Sequence, residues 1–160
     1  MRLKSISLDD ELDLLREYLQ FEEMRFGEKA KVNILVDPNI DTFETQIPVM
    51  LIQPFVENAI WHGVLPYQGN ARIDIKIAQT QRSYLTVSVS DTGMGVPEHM
   101  LGDASHFKGD KNHGIAITLQ RLSLLCTRAS IPFYVYYSRA DQENNTGTCV
   151  EMHIPVEQID

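Results

Sequence analysis

Two short stretches of this chain hold side chains that could do chemistry. The first, from Pro48 to Gly63, carries a carboxylate, an amide, an indole and an imidazole as Glu57, Asn58, Trp61 and His62. In a helix, about 100° per residue places these four within an arc of roughly 140°. Leu51, Ile52, Phe55, Val56, Ala59 and Ile60 supply the apolar remainder. Buried polar groups are costly unless partnered, so packing alone gives no reason to gather them. Two readings account for the group: a capped or solvent-facing helix edge, and a ligand site.

The second stretch is Asp91-TGMGVP-Pro97, placed where a hydrophobic strand runs out. A carboxylate at a strand end, backed by an apolar sheet, can accept a hydrogen bond from an exocyclic amine such as adenine N6. Gly93 and Gly95 let the backbone turn sharply and a planar ligand come close. A DxGxG pattern by itself also reads as an ordinary turn. From Thr92 to His113 the periodicity vanishes in favour of Gly, Asp, Lys and His, including Gly102, Lys108, Gly109 and His113. A stretch of that length inside a compact domain is a functional lid or a disordered segment.

The elements that must position these groups follow from periodicity and punctuation. Ser7, with Asp9, Asp10 and Glu11 in the next turn, starts a helix whose stripe is Leu8, Leu12, Leu15 and Leu19; Gly27 stops it. Its acidic face reads as solvated. Lys31 to Asp37 has strand composition. Pro48 suits the first turn of the next helix, and Pro54 predicts a kink inside it. Ile73, Ile75 and Ile77, then Leu85, Val87 and Val89, each line one face of a strand. Gly114 to Arg128 reads as an amphipathic helix with Ile115, Leu119, Leu122 and Cys126 on one stripe. Strands at Pro132 to Ser138 and Thr148 to Pro155 close the chain. This order predicts an α/β (α+β) two-layer sandwich, with helices on one face of a mixed, mainly antiparallel sheet.

A length of 160 residues with 43% hydrophobic content fits one domain with a real core. A net charge of −8 argues against nonspecific binding to nucleic acid or anionic membrane, which needs excess Lys and Arg. The two cysteines, Cys126 and Cys149, form no metal-binding spacing and read as core thiols of a reducing compartment. No run approaches the roughly 20 apolar residues of a membrane span. His99, His106 and His113 share the lid without the Cys or fixed helical spacing of a zinc site. Trp61 and Tyr67 read as packing or interface residues, and His62 as either a helix cap or a ligand contact.

Taken together, PFVENAIWHG, DTGMG, the lid ending at Gly114 and Gly147-Thr148 before the last strand resemble the ATP-binding domain of LytS/YehU-type sensor histidine kinases. The resemblance spans Leu8 to Pro155 and implies the Bergerat fold with a flexible ATP lid at about 96–113. It implies that Mg²⁺ and ATP are the cofactors and that Asn58 coordinates the metal between the phosphates. Glu57 would orient or deprotonate the attacking group. Asp91 would take the adenine amine, assisted by Thr148, with Gly93 and Gly95 letting the base approach. Gly114 would open the helix whose N–H groups meet the phosphates. Where many of these kinases carry a basic residue this chain has Trp61; Lys108, Lys111 or His113 would make good the charge, and His62 would join the nucleotide contacts. Ala116 replaces a second glycine at the end of the lid.

The resemblance further implies phosphoryl transfer to a histidine outside the fragment. The first histidine here is His62, so residues 1–28 are expected to continue from a missing dimerisation and phospho-acceptor region, with the catalytic domain at 29–160. A response regulator and a homodimeric full-length protein would be the partners, in the cytoplasmic part of a bacterial inner-membrane sensor. The competing readings are a nucleotide-holding or degenerate scaffold of the same fold, and an ATPase or serine kinase.

Overall fold

The computed structural model describes residues 4–104 and 114–157. A short strand β1 (Ser5–Ser7) leads into α1 (Leu8–Phe26), where the Ser7 Oγ accepts the Asp10 N–H at 3.0 Å. Asp9, Asp10 and Glu11 occupy the first turn, where the helix dipole favours negative charge. Leu8, Leu12, Leu15 and Leu19 are all buried in the common core. The helix ends at Gly27, with φ of 54°.

The acidic face of α1 departs from expectation at two positions, for Glu11 and Glu22 are only 2% and 4% exposed. Glu11 is buried because it ties α1 to the chain that precedes the site. Its Oε2 accepts the Met50 N–H at 3.2 Å, and Met50 itself is held at φ of 61°. Burial raises the Glu11 pKa; backbone N–H groups of Met50, Ile52 and Leu51, and the Arg121 charge, oppose the rise.

The chain continues through β2 (Ala30–Val36), β3 (Gln46–Pro48), α2 (Gln53–Asn58), β4 (Ala71–Gln81), β5 (Tyr84–Asp91), β6 (Gly102–Asp103), α3 (Gly114–Arg128), β7 (Val135–Ser138) and β8 (Thr148–Pro155). Strands β1 and β3 form an antiparallel pair, and the larger sheet runs β2-β4-β5-β8-β7-β6. Its β2–β4 pair is parallel and its other pairs are antiparallel, so the sheet is mixed as expected. Alternation puts Ile73, Ile75, Ile77, Leu85, Val87, Val89, Val150, Met152 and Ile154 in the core. Phe55 and Val56 of α2 and Leu119, Leu122, Leu125 and Cys126 of α3 share it. Each such fully buried aliphatic side chain stabilises the fold by about 1.5–3 kcal/mol. Cys149 is only partly buried, unlike the core thiol Cys126.

Pro48 is not a helix start: it ends β3, paired with Ser5. The helix begins only at Gln53, so Pro54 lies in its first turn and makes no internal kink. Proline lacks a backbone N–H, and only in the first turn of a helix is that donor not needed for an intrahelical bond, which favours this placement. Within the stretch expected to lack regular structure, Glu98–Met100 forms a turn of 3-10 helix and β6 pairs with β7. Residues 105–113, which include Lys108, Lys111 and His113, lie outside the described residues. Among the described residues, no helix is long and apolar enough to cross a membrane.

Candidate functional site

Beyond Asn58 the helical hydrogen bonding widens into a π-helical segment, Ala59–Val64, and the Leu65 N–H reaches the Ile60 carbonyl at 2.9 Å. Such widened turns are rare and concentrate at functional sites. Here the segment seats Gly63 directly on the loop after β5. The Met94 N–H donates to the Gly63 carbonyl at 2.9 Å, and a Cβ on Gly63 would stand 2.6 Å from the Asp91 Oδ1. A Cβ on Gly93 would meet the Gly63 oxygen at 2.1 Å. The two glycines therefore set how closely the site helix and the Asp91 turn approach.

Between these parts lies a cavity of about 590 Å³, the size of a small-ligand pocket. Glu57, Asn58, Trp61 and His62 line one side. Asp91, Gly95, Gly114 and Thr148 also line it, while Gly93 sits behind the wall against Gly63. The structure thus gathers Glu57, Asn58, His62, Asp91, Gly95, Gly114 and Thr148 around one cavity, while Gly93, Tyr67 and Ala116 do not line it. Lys108 and His113 fall outside the described residues.

Asp91 is 3% exposed, and its Oδ1 accepts the Gly93 N–H at 2.9 Å. Burial pushes its pKa up to about 6, against the lowering effect of that N–H. Thr148 stands opposite Asp91 in the β5–β8 register. Its hydroxyl accepts the Val96 N–H at 2.8 Å, so it also fixes the chain leaving the Asp91 turn. Across the cavity, the Gln53 amide donates to the Glu57 Oε1 at 3.0 Å. Among the described residues the Asn58 amide makes no side-chain hydrogen bond, leaving its oxygen free for a ligand or cation. No cluster of three or more His, Cys, Asp or Glu among the described residues could hold a metal unaided. A Mg²⁺ ion that keeps phosphate and water ligands fits such a single protein oxygen. Gly114 opens the 15-residue α3 at the pocket edge, where helix N–H groups favour an anion.

Some of the site was not singled out from sequence. Arg139 donates to the Val96 carbonyl at 2.6 Å, bracing the root of the lid from the other side. Gly147, at φ of 69°, lies where a Cβ would meet the Asp91 carbonyl at 2.3 Å. The sequence marked Gly147 only as part of the Gly147-Thr148 motif before the last strand, without a role of its own. Met94, Val96, Met100, Ile115 and Tyr137 give the pocket an apolar wall suited to a planar base. These are unremarkable hydrophobic residues in the sequence, and only the fold collects them.

A family model described as histidine kinase-, DNA gyrase B-, and HSP90-like ATPase matches residues 45–158. The chain is 33% identical over 110 residues to the sensor histidine kinase YpdA of Escherichia coli (strain K12), covering 68% of this chain and 19% of that protein. It is 30% identical over 123 residues to the sensor histidine kinase/phosphatase LytS of Staphylococcus aureus (strain Mu50), covering 75% of this chain and 20% of that one. The chain therefore spans about a fifth of the length of these relatives. Its fold matches the nucleotide-free catalytic domain of histidine kinase ThkA with a TM-score of 0.62 at 14% identity, covering 97% of each chain. The same kinase in complex with response regulator protein TrrA matches with a TM-score of 0.60 at 12% identity, over 97% of this chain and 42% of that one.

Proposed function

The chain belongs to the histidine kinase-, DNA gyrase B-, and HSP90-like ATPase family, and from that premise we propose that it is the Mg·ATP-binding catalytic domain of a sensor histidine kinase. The observation that carries the reading is one pocket with Asp91 and Thr148 at its base and Glu57 and Asn58 facing them. Asp91 accepts the adenine amine, and the glycine turn admits the base against Met94, Val96 and Ile115. The N-terminus of α3 at Gly114 meets the phosphates, with Lys108, His113 and His62 as further contacts. Asn58 holds the Mg²⁺, which neutralises phosphate charge when bound. Glu57, steadied on one oxygen by Gln53, orients the attacking group with the other. Catalysis is then positioning plus charge neutralisation, as phosphoryl transfer requires.

The acceptor in this reading is a histidine on a dimerisation region that residues 1–28 continue, in a homodimeric full-length protein. The ATP supply puts this domain on the cytoplasmic side of a bacterial inner-membrane sensor. A response regulator is the downstream partner, a proposal supported by the complex of the similarly folded ThkA with TrrA. Calorimetric titration with a non-hydrolysable ATP analogue tests the reading. Magnesium-dependent binding by the wild-type chain, lost in Asn58→Ala, is expected; a folded wild-type chain that binds no nucleotide overturns it.

A second reading is a scaffold that holds nucleotide without transferring phosphate. It is favoured by the lack of Lys or Arg among the described lining residues. Transfer of label from ATP to a histidine in the full-length protein rejects it.

A further inference from the structure

The described walls of the pocket carry two carboxylates, Glu57 and Asp91, and no lysine or arginine. A polyphosphate entering that space needs a cation. On the rim, at the position where the sequence puts an indole, Trp61 is 45% exposed and lines the cavity. Over its ring, 4.6 Å from the centroid, lies the guanidinium of Arg25, delivered from the last turn of α1.

Arg25 is held there without a hydrogen bond to any described residue. Its side chain is 50% exposed, and its nearest carboxylate oxygen, Glu22 Oε2, is 3.8 Å from Nη1, beyond hydrogen-bond range. That same oxygen is buried and has no hydrogen-bond partner. No described protein acceptor takes any of the five N–H donors of its rigid fork, which stay open to solvent or a ligand. The Glu22 charge and the Trp61 face keep the guanidinium beside the rim. Tyr18 completes the cluster: its phenol is pushed up to about 12 by burial and by the neighbouring Glu22 and Glu57 charges, so it stays neutral. Trp61 follows Glu57 and Asn58 along the same helical stretch and lines the cavity with them, so the Arg25 stacked on it stands beside that end of the pocket.

We propose that Arg25 is a phosphate-binding residue of this site: its guanidinium, stored on the face of Trp61, is a further cation that meets the nucleotide's polyphosphate beside the metal. The inference rests on the nucleotide reading above and adds to it a residue from a different helix. It also explains how an indole can stand at the rim of a phosphate site. Trp61 contributes no charge of its own and instead positions one.

The test is calorimetric titration of the 160-residue chain, with Mg²⁺, by a non-hydrolysable ATP analogue and by adenosine, for wild type, Arg25→Gln and Arg25→Lys. A lost charge-assisted contact predicts that Arg25→Gln weakens the ATP analogue about tenfold or more and adenosine less than about twofold. Arg25→Lys, which keeps the charge and loses the fork, retains part of the affinity for the ATP analogue. Unchanged affinity of Arg25→Gln for the ATP analogue overturns the inference. Equal weakening of both ligands also overturns it, because a clamp that merely holds Trp61 would act on both. A wild-type chain that binds neither ligand is a different failure, that of the nucleotide reading itself, and is seen before any variant is made.

Discussion

Replacing Asp91 by Asn should make the protein more stable and a worse nucleotide binder at the same time. The Asp91 carboxylate is buried, and burial raises its pKa from 3.8 to about 6. Below pH 3.8 the group is protonated in the folded and unfolded chain alike, and burial costs it nothing electrostatic. As pH rises from there to about 6 the unfolded chain ionises first, and stability is lost progressively; above about 6 the full cost is present. At about 1.4 kcal/mol for each pH unit between 3.8 and about 6, the cost comes to about 3 kcal/mol at neutral pH. An uncharged Asn of the same shape escapes that cost, so Asp91→Asn should raise the melting temperature by about 6–12 °C at pH 7.5 and change it little near pH 4. Binding moves the other way. An amide must choose between accepting the Gly93 N–H and accepting the adenine amine, and either choice sets donor against donor. The cost is about 1–3 kcal/mol, or a factor of roughly 5 to 150 in Kd. Thermal melts at the two pH values, with calorimetry against ATP and GTP analogues, measure both effects. A variant that is destabilised equally at both pH values refutes the buried-charge argument. Undiminished ATP affinity in the variant, or equal ATP and GTP affinity in the wild type, refutes the adenine contact.

Gly93→Ala would drive a methyl against the backbone oxygen of Gly63, 2.1 Å away, where no side chain can yield. Overpacking of this kind should cost about 3 kcal/mol in urea denaturation; a loss under about 0.5 kcal/mol would contradict the contact. Met50→Gly relieves a left-handed backbone at φ of 61° and gives up a side chain that is 38% exposed. It should stabilise the chain by about 1 kcal/mol in the same assay, and a clear destabilisation would mean that Met50 packs more than it strains.

The sequence by itself determined what depends on near neighbours. Ser7 caps α1 because its hydroxyl reaches a backbone N–H three residues on, and four leucines at helical spacing bury one stripe. Alternation marked the inner faces of β4 and β5, and the polar cluster from Glu57 to His62 was visible as an oddity on an apolar stretch. Pro54 was legible as a constraint but not as a helix start, since a missing N–H fits a first turn as well as it signals a kink. What only the tertiary structure decided is long-range. Register across β5 and β8 puts Thr148 opposite Asp91, and the π-helical segment brings Gly63 against that carboxylate. Glu11 and Glu22 look like solvated charges in sequence, yet one holds the Met50 turn and the other lies beside Arg25. Burial, register and close approach are properties of pairs distant in the chain, and side-chain type constrains them only once the sheet and helices have packed.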